Sequence, residues 1–237
     1  MTDAADQDVM RTLAAGIYQW TAPHPTYRTS VEEVNCFALV AADVLAVVDP
    51  QLPPDRDPRR RQLLARLDEL ATVPRRLEIL ITIPYHTRSA ESLYERYWST
   101  LPTRIWGDAG VAKRLTRHAP LQVIAAGTSG RGVAIADGAA VALAIGKPRR
   151  SETPLYFPAH RAVIFGDAIV GTGEGLRLWN QSSTTSAAWY RDVFVPTLRP
   201  LLDLPLDHVL VTHGSCAVGD GRRALEECLA APPVRMY

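Results

Sequence analysis

Apolar residues in this chain fall into short continuous runs, each closed by turn residues, and this restricts the fold more than any other feature. Such runs, without polar alternation, suit strands buried on both faces, so each sheet must be covered on both sides. Residues 34–40 and 44–49 are two of them, joined by Ala41, Ala42 and Asp43 as a hairpin turn, and Asp49-Pro50 ends the second. A strand signal over 16–20 precedes them, followed by a loop rich in Pro and Thr around His24.

Helical patterns alternate with these runs. Asp57-Pro58 offers an N-cap and a first-turn proline, after which Leu63, Leu64, Leu67 and Leu70 recur at helical spacing. Residues 80–83 read as a buried strand, 84–88 as the loop leaving its C-terminal end, and Ser89 as the N-cap of a helix through Leu93 and Tyr97. A strand at 104–106, a helix near 111–115 and a strand at 121–124 continue the alternation through the first half. The second half repeats the plan, with hairpins over 133–145 (turning at Asp137-Gly138) and 155–165 (turning at 158–161). A helix over 186–201 is expected to turn Trp189, Val193 and Leu198 inward, with interruptions near Pro196 and Pro200. A strand at 208–211 and a helix over 222–230 follow. The expected fold class is α/β, two sheets packed face to face with helices outside, residues 1–237 forming one domain.

Charge and cysteine usage narrow the setting. The 26 Lys and Arg residues nearly cancel the 25 Asp and Glu, leaving +1, which gives no basis for a nucleic-acid or membrane-surface partner. Cys36, Cys216 and Cys228 form no CxxC pair and read as reduced thiols. Residues 1–10 carry no basic segment followed by an apolar run, and no stretch approaches the ~18 apolar residues of a membrane span. A soluble, cytoplasmic protein with a small-molecule partner is expected.

Several polar residues fall where strands end and binding loops begin. Asp167 follows Gly166, His213 precedes Gly214, and Tyr85, His86 and Arg88 share the loop after the 80–83 strand. His160 and His118 read as surface residues, and Thr172-Gly173-Glu174-Gly175 as a flexible loop that lacks the P-loop spacing. Ser215 and Cys216 offer nucleophilic atoms without a visible partner order.

Four segments, taken in order, resemble the metallo-β-lactamase superfamily. Residues 34–49 look like its opening hairpin, and Thr82-Ile83-Pro84-Tyr85-His86-Thr87-Arg88 stands where the family carries T-H-x-H-x-D-H. The stretch from Phe157 to Asp167 looks like the hairpin that delivers the metal-bridging aspartate. Residues 207–214 look like the strand and loop of the last histidine. The resemblance covers roughly residues 16 to 230 and implies an αββα sandwich with Asp49, the 84–88 loop, Asp167 and His213 at one edge.

The same alignment implies a largely dismantled dinuclear zinc site. Ile83, Tyr85, Thr87 and Arg88 occupy the four ligand positions of the motif, and none suits zinc. No histidine occurs in residues 146–152, where another is expected. Asp167 and His213 remain, and His86 lies one residue out of register.

Three functions stay open. One is a metal-free protein binding a small anion through Arg88, Tyr85, Arg149 and Arg150, with Arg88 replacing the lost cation opposite Asp167. Another is a hydrolase of a small ester, thioester or lactone with one zinc or other divalent metal on His86, Asp167 and His213, the three residues expected to be catalytic. The third is a structural or partner-binding pseudoenzyme using aromatics among Tyr18, Trp20, Trp98, Trp106, Trp179 and Trp189.

Overall fold

The structure is a computed structural model that describes residues 9–24, 33–116, 119–125, 132–146, 151–180 and 185–235. Seven strands form the first sheet in chain order: β1 (Arg11–Ala14), β2 (Ile17–Pro23), β3 (Glu33–Ala41), β4 (Val44–Val48), β5 (Arg76–Leu80), β6 (Thr103–Gly107) and β7 (Leu121–Val123). The first four are antiparallel and the last three join in parallel, which makes the sheet mixed. The parallel crossovers carry α1 (Pro58–Leu70) and α2 (Ala90–Tyr97). Asp57 caps α1, its carboxylate accepting the Arg59 N–H at 2.9 Å.

The second sheet is built from β8 (Gly132–Ile135), β9 (Ala140–Leu143), β10 (Leu155–Phe157) and β11 (Ala162–Phe165). A small hairpin, β12 (Ile169–Thr172) and β13 (Gly175–Leu178), stands apart from it. After the hairpin, β14 (His208–Val211) returns parallel to β11 and β15 (Ala217–Val218) closes the far edge. The last helix is α3 (Gly221–Ala230). No helix among the described residues is long and apolar enough to cross a membrane.

Strand periodicity explains why there are three apolar layers. Trp20, Leu77 and Ile79 point toward α1 and α2 and meet Leu63, Leu67 and Leu93. Ile17, Phe37, Leu39, Val48 and Leu80 point the other way and meet Phe157, Ile164 and Leu210 between the sheets. Val163, Phe165 and Val211 face the second helical layer, where Phe194, Leu198 and Leu225 cover them. These are the two face-to-face sheets with helices outside expected from the alternation of strands and helices, and the αββα sandwich that the resemblance implied.

Local departures have identifiable causes. The helix expected near 111–115 is a 3₁₀ turn over Ala109–Lys113, capped by Asp108 through the Gly110 N–H. The segment expected as one helix over 186–201 contains a π turn at Tyr190–Phe194 and ends in a 3₁₀ turn at Arg199–Asp203. The π turn widens the helix and shifts its inward face. Tyr190 and Phe194 are therefore buried, and Val193, expected inside, is 51% exposed. Thr172 to Gly175, expected as a flexible loop, is the turn joining β12 to β13, with Gly175 at φ +101°. His160, expected at the surface, is half-buried with Nε2 3.1 Å from the Val40 carbonyl, which ties the β10–β11 turn to the first sheet.

Candidate metal centre

The site starts at Asp49, which leaves β4 with φ +48° and is fully buried. Its carboxylate accepts the Thr82 N–H at 2.8 Å and the Thr82 hydroxyl, binding the end of β4 to the chain beyond β5. The other contact is to His86, whose Nδ1 lies 2.9 Å from Asp49 Oδ2. His86 sits in the 3₁₀ turn Pro84–Thr87 at φ −90°, ψ 17°, its amide bonded to the Ile83 carbonyl at 2.8 Å. The turn swings this imidazole inward from one residue out of the motif's register.

From the second sheet, Gly166 and Asp167 leave β11 beside it. A side chain at Gly166 would stand 2.6 Å from the Thr82 hydroxyl, so the close approach of the two sheet ends requires glycine. Glu152, 4% exposed, clamps this corner: its two carboxyl oxygens accept the Gly166 N–H at 2.9 Å and the Asp167 N–H at 3.1 Å. His213 leaves β14, and its carbonyl accepts the Gly171 N–H at 2.8 Å. Gly214 follows at φ +79°, where a Cβ would lie 2.0 Å from the Gly171 carbonyl oxygen.

These loops converge on one point. Asp167 Oδ1 is 3.3 Å from His86 Nε2 and 3.4 Å from His213 Nε2, and all three residues are buried. Asp49, the 84–88 turn, Asp167 and His213 thus share one edge of the sandwich, as the alignment implied. The Trp179 ring meets the His213 ring edge-on at 5.3 Å between centroids, and the His24 ring lies 6.2 Å from it.

The electrostatics follow from this burial. Desolvation opposes ionisation of Asp167, but the facing imidazoles of His86 and His213 hold its carboxyl well below the usual range. Desolvation and Arg88 push the His86 pKa down, yet Asp49 and Asp167 outweigh them and raise it. Burial, reinforced by the Asp167 charge, pushes the Glu152 carboxyl up to about 8.

Among the described residues, one group of His, Cys, Asp and Glu donors is close enough to hold an ion: His86, Asp167 and His213, with ligand atoms within 4.8 Å of one another. Donors on a tetrahedral zinc with bonds of about 2.0–2.1 Å stand about 3.3 Å apart, which the two aspartate–imidazole separations match. Two nitrogens and a carboxylate oxygen are also an ordinary donor set for zinc. The residues fit a single ion. Among the described residues no further group of such donors stands close enough for a second, and the motif's ligand positions hold Ile83, Tyr85, Thr87 and Arg88, none of which suits zinc.

Arg88 does not take the role expected of it. Its guanidinium donates to the Asp49 carbonyl at 3.3 Å and forms no ion pair with Asp167, which stands between two imidazoles. The cause is local: Arg88 ends the 3₁₀ turn at φ +38°, ψ −114°, while His86 is the side chain turned toward Asp167. Tyr85 is 53% exposed, with the Arg114 guanidinium 3.8 Å from its ring centroid. Arg149, Arg150 and His118 lie outside the described residues. Glu152, Trp179 and His24 were not singled out from the sequence as site residues. Glu152 lies in the very segment where a histidine was sought, so a search for any buried donor there would have found it.

No protein-family model matches the sequence, and no curated protein matches it. Solved structures do. The FIM-1 metallo-β-lactamase of Pseudomonas aeruginosa in its mono-zinc form has TM-score 0.62 at 16% identity, over 93% of this chain and 92% of its own. A metallo-β-lactamase from Hirschia baltica has TM-score 0.64 at 14% identity, over 93% and 95%. One from Erythrobacter litoralis, with β-mercaptoethanol in the active site, has TM-score 0.64 at 17% identity, over 93% and 94%. The chain has the metallo-β-lactamase fold, and its His86, Asp167 and His213 form a partial triad of donors able to hold one ion.

Proposed function

We propose that this protein is a mononuclear metal-dependent hydrolase of a small ester, thioester or lactone, with His86, Asp167 and His213 as its metal ligands. The observation that carries this reading is the Asp49–His86–Asp167 arrangement. With the Nδ1 proton of His86 donated to Asp49, the Nε2 lone pair of the neutral ring is directed at the point shared with Asp167 and His213. A carboxylate behind a ligating imidazole fixes the tautomer and raises ligand basicity, as metal sites usually require. A divalent ion held there would supply Lewis acidity, polarising a carbonyl and making water a better nucleophile. Asp49 fixes the His86 ring, Glu152 holds the Asp167 backbone, and the Trp179 and His24 rings stand beside the His213 ring. The mono-zinc form described for the similar Pseudomonas aeruginosa enzyme is in keeping with one ion on this fold.

The metal-free reading drew part of its support from Arg88 neutralising Asp167, and that pairing is not formed. The test is hydrolysis of a panel of p-nitrophenyl esters, an acyl thioester and a small lactone by zinc-loaded protein. At least one substrate is expected to turn over, with the activity lost on chelation and in Asp167→Asn. Turnover indifferent to both, or none on any substrate, would remove the proposal.

A further inference from the structure

A second recess, which none of the three clustered donors lines, lies on the seam between the sheets. It has a volume of about 480 Å³ and is lined by Arg11 of β1, Gln19 and Thr21 of β2, Asn35 of β3, and Ser215 and Cys216 beyond β14. That volume is in the range of small-molecule sites. Its polar groups are arranged with an excess of donors. Gln19 is 7% exposed, and its Oε1 accepts the Arg11 guanidinium at 2.6 Å. This bond orients the guanidinium and leaves the Gln19 amide NH₂ as a donor. Asn35 spends its own NH₂ on the Val211 and Gly214 carbonyls, at 2.8 and 2.7 Å, which fixes the wall that bears Ser215. Ser215 itself is exposed.

Charge decides what such a recess takes. Arg11 is the one charged side chain lining it among the described residues. Glu33, bonded to Thr21 nearby, is already paired with Arg59 at 2.7 Å. Burial pushes the Cys216 thiol up to about 11, so it adds no negative charge at neutral pH. One guanidinium with an amide donor matches a carboxylate, which accepts paired hydrogen bonds from arginine. A phosphate dianion would call for a second cation, and among the described residues none besides Arg11 lines the recess.

We propose that this seam cleft binds a small organic carboxylate, its carboxylate held by Arg11 and the Gln19 amide and its remainder lying along the Ser215 wall. The proposal is independent of the metal reading. Its test is calorimetric titration of the full chain, in buffer with chelator, with succinate, malate and citrate in turn, and separately with inorganic phosphate. At least one carboxylate is expected to saturate at one per chain. Arg11→Ala should weaken it about tenfold or more, the scale of a lost charge-assisted bond. Arg11→Lys, which keeps the charge but not the paired geometry, should fall between, and His213→Ala should leave binding intact. No saturable carboxylate, binding unchanged in Arg11→Ala, loss in His213→Ala, or phosphate bound more tightly than every carboxylate would each overturn it.

Discussion

Replacing Asp49 by alanine is expected to lower the unfolding free energy by about 3–5 kcal/mol, the largest stability effect among the site residues. Asp49 is fully buried, and its carboxylate serves the Thr82 N–H, the Thr82 hydroxyl and His86 Nδ1 together. Alanine leaves all three without an acceptor in a water-excluded position, where an orphaned polar group costs about 1–3 kcal/mol. It also places a Cβ residue without a compensating side-chain bond at φ +48°. The same change frees the His86 ring, so metal affinity should fall about 10–100-fold, the usual effect of losing such a partner. Asp49→Asn keeps one acceptor oxygen and should lie between. Urea unfolding and a cobalt titration measure the two effects separately. A loss under about 1 kcal/mol would mean that the triple contact is not what holds β4 to the 84–88 turn.

Glu152→Ala is the second large effect, expected at about 2–4 kcal/mol from two buried N–H groups left without acceptors. Those groups belong to Gly166 and Asp167, so the damage falls on the backbone that aims the Asp167 carboxylate. Cobalt affinity should therefore drop by about tenfold or more although Glu152 is not itself a ligand. Glu152→Gln retains only one acceptor oxygen and sets an amide NH₂ against one of the two N–H donors, so it should recover the loss only in part. Unchanged cobalt affinity in Glu152→Ala would mean that Asp167 is placed by the packing of Gly166 on Thr82, by the Thr212 hydroxyl that donates to the Gly166 carbonyl, and by the histidines alone.

Much of the architecture was legible because strands buried on both faces leave continuous apolar runs. The 34–49 hairpin, the 155–165 hairpin and the 208–211 strand were therefore readable in outline. The π turn at 190–194 was not, since it inserts no distinctive residue and only its consequence, an exposed Val193, reveals the shifted face. The β12–β13 hairpin was hidden because Thr172-Gly173-Glu174-Gly175 resembles any glycine-rich loop. Asp167 and His213 were legible from their places at strand ends. His86 was half legible: its register is wrong for the family pattern, and only the 3₁₀ geometry of Pro84–Thr87 turns it to face Asp167. Arg88 was assigned its neighbour's direction for the same reason. Glu152 escaped because a carboxylate can replace a histidine in holding the site together without replacing it as a ligand.

The most direct measurement is the number of ions retained per chain, read by native mass spectrometry after loading with three equivalents of zinc and desalting. One zinc per chain is expected, with none retained by Asp167→Asn or His213→Ala variants that remain folded. Two ions per chain, no ion at all, or one ion that survives both substitutions would contradict a single centre built on His86, Asp167 and His213.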